Sequence, residues 1–232
     1  MNPWMYRSLT RPVRGFLCVG SAAWLLSGCG GGGGGSDGPV VSTLDFPIET
    51  VVEVYMQSDH QFDLAGARNG VNVTMSYTFT AGAPAAFEGH AAHTATEVAV
   101  LTANGVPSQL RSISYFALDP YVSYGSVDQD TGEYAVFNQT ANLPATARVG
   151  QSGVLGDEIS YVDSSKEQVT DTSALSWSLE ADTATTALFC INVNVNNTSI
   201  GDGSQCYRID ANGTVLNFVM RVNVDGGTLT LK

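Results

Sequence analysis

Few side chains in this chain have types and spacings suited to chemistry. Glu88-Gly89-His90-Ala91-Ala92-His93 is the one cluster that could offer imidazole nitrogens and a carboxylate to a metal. On an extended strand His90 and His93 point to opposite faces, and Gly89 with Pro84 disfavours the helix that would align them, so exposed loop histidines are expected. Asp128-Gln129-Asp130-Thr131-Gly132-Glu133 sets acids at alternate positions, as a calcium loop does. Its sixth residue is Glu133 rather than Gly and its twelfth is Gln139 rather than a bidentate Glu, so a tight turn between strands is expected. Gly150-Gln151-Ser152-Gly153 lacks the second spacer of G-x-S-x-G and the strand-to-helix elbow that strains such a serine, and reads as a turn. Asp157-Glu158 and Glu180 with Asp182 could serve glycoside hydrolysis only at a fixed separation, and they read as surface charge. No catalytic residue, metal-ligand set or cofactor motif is expected.

The elements that would position these groups read as strands almost throughout. Val51 to Tyr55 begins the series as a strand, and Asp63 to Gly70 reads as a turn-rich connection. Val71, Val73, Met75, Tyr77 and Phe79 alternate without a break against Asn72, Thr74, Ser76, Thr78 and Thr80, a period of two that puts one apolar face on a core. Ala81 to Ala86, with Gly82 and Pro84, breaks that pattern. Ala91 to Leu101 and Gln109 to Leu118 are joined through Asn104-Gly105, a dipeptide that favours a hairpin turn. Ile159 and Tyr161 alternate with Ser160 and Val162, and Leu175, Trp177 and Leu179 with Ser176, Ser178 and Glu180, as half-buried antiparallel strands do. Phe189, Ile191, Val193 and Val195 oppose Cys190, Asn192, Asn194 and Asn196, and after a polar loop from Asn197 to Gln205 the return strand opens at Cys206. Asp210 to Thr214 is a turn, after which Leu216, Phe218, Met220, Val222 and Val224 face one way and Leu229 with Leu231 ends the chain. No segment carries a sustained apolar pattern at helical spacing. The expected fold is all-β and antiparallel, either a β-sandwich or a partly open β-barrel, because spacing does not reveal which strands are neighbours.

The amino terminus is of a different kind. Arg7, Arg11 and Arg14 precede the apolar stretch Phe16 to Leu26, which is shorter than the about 20 residues a bilayer span needs, so residues 1–28 read as a signal peptide. Its ending, Leu26-Ser27-Gly28-Cys29, resembles the bacterial lipobox. The resemblance implies cleavage before Cys29 and a triacylated cysteine at the new terminus. Three acyl chains hold a membrane essentially permanently, since one myristoyl chain is marginal and two signals suffice. Residues 29–46, with six glycines from Gly30 to Gly35, have the composition of a flexible tether, and a phosphate-binding glycine loop is excluded by the lack of a following Lys-Ser/Thr. In enterobacterial lipoproteins an Asp after the lipidated cysteine retains the protein in the inner membrane; Gly30 stands there, so the resemblance points to the outer membrane.

With Cys18 removed and Cys29 lipidated, Cys190 and Cys206 are the remaining thiols, in a compartment that oxidises thiols. They project from one face if their strands pair as a hairpin, so a disulfide is expected, worth about 3 kcal/mol on the chain-entropy model. A redox or metal pair would call for CxxC spacing or a neighbouring histidine. Cleavage leaves seven basic and 22 acidic residues, a formal charge of −15, which argues against nucleic acid and anionic lipid headgroups as partners.

Residues 47–232 are expected to form the β domain, with an internal boundary near 143–150 where Leu143-Pro144 interrupts the pattern. Leu143 to Ala147 with Val149 to Gly153, Trp177 to Thr183, and Cys206 to Asp210 resemble stretches of uncharacterised proteobacterial lipoproteins, a resemblance covering the last third of the chain that brings no function with it. Three functions follow, in order: a non-catalytic lipid-anchored protein with a structural or interaction role towards an envelope partner, a carrier or chaperone for an apolar ligand, and a cell-envelope hydrolase.

Overall fold

The computed structural model describes residues 41–195, 202–224 and 227–232. The segment expected to be a signal peptide, Cys29, the glycine run, most of the expected loop after Val195, and residues 225 and 226 lie outside the described residues. Among the described residues one helix, α1 (Ile48–Met56), precedes twelve strands. These are β1 (His60–Arg68), β2 (Val71–Phe87), β3 (His90–Ala103), β4 (Val106–Leu118), β5 (Tyr121–Asp128) and β6 (Tyr134–Gln139). They continue as β7 (Ser152–Tyr161), β8 (Val169–Ala181), β9 (Thr186–Val195), β10 (Gly203–Asp210), β11 (Val215–Val224) and β12 (Gly227–Leu231).

The strands form a single antiparallel sheet in chain order, each paired with the next. Tight turns make this meander cheap to close: Asn69-Gly70 and Asn104-Gly105 have positive φ at both residues, the conformation of type I′ hairpins. The sheet curls until its edges meet, where Ala65 and Lys232 exchange reciprocal N–H to O bonds of 3.1 Å. This is the barrel of the two expected alternatives, nearly closed, and no second sheet packs on it among the described residues. At the seam a Cβ on Gly66 would stand 2.1 Å from the Thr230 carbonyl oxygen, so only glycine lets β1 approach β12 this closely. The sheet also runs across residues 143–150, since β6 and β7 on either side pair from Tyr134–Tyr161 to Gln139–Gly156.

Eight strands already enclose enough space for side chains to fill, so twelve need more filling. Large side chains and α1 supply it: Phe46, Tyr55, Tyr77, Phe79, Phe116, Phe189, Tyr207 and Phe218 are all buried to within 2% of complete. The helix corrects the expectation of a strand at Val51–Tyr55. Ile48, Val51, Val52, Tyr55 and Met56 are its buried residues, spaced as one helical stripe, and the stripe packs on a core that outweighs the β preference of its branched side chains. Tyr55 carries the helix into the barrel, with ring centroids 5.1 Å from Phe79 and 4.8 Å from Tyr207. Just before it, Phe46 exchanges two 2.9 Å backbone bonds with Ala147, and Arg148 grips the Asp45 carboxylate at 2.7 and 3.0 Å.

Four further expectations are corrected. Asp63 to Arg68 belongs to β1 rather than to a connection, because the small Ala65, Gly66 and Ala67 serve the tight seam. Ala81 to Ala86 stays in β2, with the irregularity absorbed as a register shift between Gly82 and Ala85. The return strand opens at Gly203, three residues before Cys206. Leu216 is exposed and Val215 packs on the core instead, following the register shift between Arg208 and Ile209.

Candidate functional site

Inner and outer faces of the barrel differ in chemistry by strand. On β2 the inward row is Val73, Met75, Tyr77 and Phe79, and the outward row Asn72, Thr74, Ser76, Thr78 and Thr80 is exposed or half-buried. A membrane-spanning barrel carries the reverse pattern, with its apolar band outside. No helix among the described residues is long and apolar enough to cross a membrane.

Between β3 and β8 the inner face turns polar. One register row runs Glu97, Ser112, Asp128; a second runs Ala95, Ser114, Ser126, Ala135, Ser160, Asp171; a third pairs Phe137, Glu158 and Ser173. Every polar member is less than a tenth exposed. On β7 this inverts the expected faces: Glu158 and Ser160 point inward, while Ile159 is exposed and Tyr161 lies half-buried outside. Asp157-Glu158 is therefore not a pair of surface acids, since neighbouring residues on a strand occupy opposite faces. None of the described lysines or arginines is buried beside these acids.

Glu97 is the centre of this wall. Tyr77 donates to its Oε2 at 2.9 Å and Ser114 donates to its Oε1, so hydroxyls from the two flanking strands hold the carboxylate. Four tyrosines on different elements share its field. Burial, and then the Glu97 charge, push the phenols of Tyr55, Tyr77 and Tyr121 above their ordinary range. Burial does the same to Tyr207, helped by Tyr55 and then Glu97. A carboxylate 1% exposed, ringed by phenols, has no path to a substrate in this state. What it can do is fix the register of β2, β3 and β4, since losing either the Tyr77 or the Ser114 hydroxyl would leave a carboxylate oxygen stranded. Sequence reading did not single it out, although Glu97 shares its strand parity with the buried Ala95, Ala99 and Leu101.

The expected disulfide is present. Cys190 and Cys206 face each other in the β9–β10 register and are bonded across it, both on the outer side of the sheet. The Glu180 carboxylate lies beside them, and these three are the one group of its kind among the described residues that could cluster on a metal, with both sulfurs already spent in the bridge. Glu180 itself meets Arg221 at 2.7 Å, and Asp182 meets Arg208 at 2.8 Å; the Glu180 side chain is at the surface as expected, whereas that of Asp182 is largely buried, 11% exposed.

The remaining sites fall apart in space. The β2–β3 hairpin end folds over the outside of β4 to β6, where Phe87 stacks on Tyr115 and Tyr134 at 4.4 and 5.0 Å. Glu88 at its tip accepts from Tyr134 at 2.7 Å and from Lys166 at 2.6 Å, and the Lys166 bond is the chief cause that lowers its carboxyl. His90 then stacks on Tyr124 at 4.4 Å and His93 lies 6.0 Å from Phe116, so the two rings serve different aromatic partners. Asp128 Oδ1 accepts the Asp130 and Thr131 N–H groups at 2.6 and 2.9 Å, closing the expected turn between β5 and β6.

Neither protein-family models, curated proteins nor solved structures give a match to this chain.

Proposed function

We propose that this chain is a lipid-anchored outer-membrane protein without a catalytic role, whose barrel domain serves a structural or interaction function in the envelope. The observation that carries the reading is Leu26-Ser27-Gly28-Cys29 followed by six glycines. The fold suits such an anchor. Pull on a lipid-linked amino terminus arrives at Asp45 and Phe46, which are clamped to Arg148 and Ala147 before the helix enters the core. A net charge of −15 keeps the domain off anionic headgroups, and its polar outward rows suit an aqueous surrounding.

The carrier alternative finds little support in the void between β5 and β9. The void among Tyr121, Phe137, Leu143, Leu155, Leu175 and Ile191 amounts to about 20 Å³, room for one water rather than an apolar ligand. The test is membrane fractionation of the full chain beside Cys29→Ser. The anchored reading expects wild type with the outer membrane and the variant released; equal partitioning of both would overturn it.

A further inference from the structure

We propose that the outer face of β8 to β12 carries a groove that binds an uncharged saccharide. The groove holds about 350 Å³. That is within the roughly 300–1,000 Å³ of small-molecule sites and enough for one or two sugar rings. Asn192 and Asn194 of β9, Ser204 of β10, Arg221 and Asn223 of β11 and Thr228 of β12 line it. These positions alternate with the core-facing Ile191, Val193, Gln205, Val222 and Leu229, so the sheet itself sets their spacing.

Their chemistry selects the ligand. A carboxamide offers a donor and an acceptor in one plane, and a hydroxyl does both, which matches the vicinal hydroxyls of a sugar ring. Two side-chain bonds preset the amides: Asn192 Nδ2 donates to Ser178 Oγ at 3.1 Å, and Thr228 Oγ1 donates to Asn223 Oδ1 at 2.7 Å. The charges are already engaged, because Arg221 holds Glu180 at 2.7 Å and Asp202 accepts the Val195 N–H at 3.0 Å. A phosphate or carboxylate would have to displace Glu180 to find a cation. An extended peptide would seek an open sheet edge, but β8 to β11 are paired on both sides and β12 lies between β11 and the seam with β1. The lining has no aromatic ring among the described residues, so hydrogen bonds carry the affinity, with a dissociation constant on the order of 1 mM.

The proposal deepens the reading of a tethered interaction domain by naming what it holds. Its test reads the groove alone: a failed titration leaves the acyl anchor standing, and a missing acyl group leaves the groove standing. The full chain is titrated with glucose, N-acetylglucosamine and maltose while the side-chain amide NMR signals of Asn192, Asn194 and Asn223 are followed, with glucuronate and tetraglycine as controls. At least one uncharged sugar is expected to shift these signals saturably. Asn194→Ala, at an exposed position, should weaken that binding about 5- to 10-fold without changing the melting temperature. Thr228→Val is expected to weaken it as well. The proposal is overturned if none of the three sugars saturates the signals, if only glucuronate or tetraglycine does, or if both variants bind like wild type.

Discussion

Tyr77→Phe is the sharpest test of how the barrel interior is held. The substitution keeps the ring that stacks near Phe218, at 5.1 Å, and removes only the hydroxyl that donates to Glu97. Glu97 Oε2 would then lose the Tyr77 hydroxyl as donor at a site 1% exposed, where water cannot replace it. Stranding a buried polar atom costs about 1–3 kcal/mol, so about 2 kcal/mol is expected, or about 4–8 °C in Tm for a domain of this size. Glu97→Leu strands the Tyr77 and Ser114 hydroxyls instead and should cost a similar amount. Combining the two changes removes donor and acceptor together, so the loss in the double variant should fall well below the sum of the single losses. Urea unfolding at neutral pH of the four proteins gives the cycle directly. Additive losses, or a Tyr77→Phe variant within about 0.5 kcal/mol of wild type, would refute the claim that these hydroxyls hold the carboxylate.

Three more predictions follow from the same geometry. Replacing Cys190 and Cys206 together by alanine should cost about 3 kcal/mol, since the bridge closes a loop of 16 residues; a loss below about 1 kcal/mol would contradict the entropic account. Gly66→Ala should open the β1–β12 seam, because its Cβ would meet backbone at 2.1 Å; faster amide exchange at Ala65 and Lys232 than at the β4–β5 pairs is the expected signature, and unchanged exchange would count against closure. The phenols of Tyr55, Tyr77, Tyr121 and Tyr207 are raised chiefly by burial, so the folded state holds their protons more tightly than the unfolded state does. That contribution to stability is whole below the ordinary tyrosine value of about 10 and is lost as pH rises above it. Tyrosinate absorbance should therefore appear for these rings only together with alkaline unfolding.

Much of the fold was legible because single-faced strands announce themselves. The Val71–Phe79 and Phe189–Val195 alternations, the Asn104-Gly105 hairpin and the facing cysteines all reappear in the structure. Where legibility failed, the cause was an inner face that is not uniformly apolar. On β7 the barrel turns Glu158 and Ser160 inward, and a reading that assigns the apolar residue to the core puts Ile159 on the wrong side. Glu97 escaped notice for the same reason, since only the register reveals that Tyr77 and Ser114 flank it. The helix was hidden by composition: Val51, Val52 and Val54 suggest a strand, and the helical spacing of Ile48, Val51, Val52 and Tyr55 spans barely two turns. Strand order and seam closure depend on chain ends far apart in sequence, and local spacing carries no record of them.

Intact-mass analysis of the protein isolated from membranes tests the central claim most directly. The account predicts a chain that begins at Cys29 and carries the added mass of a diacylglyceryl group and an amide-linked acyl chain on that residue. A chain that starts elsewhere, or a Cys29 without fatty acyl mass, would contradict it.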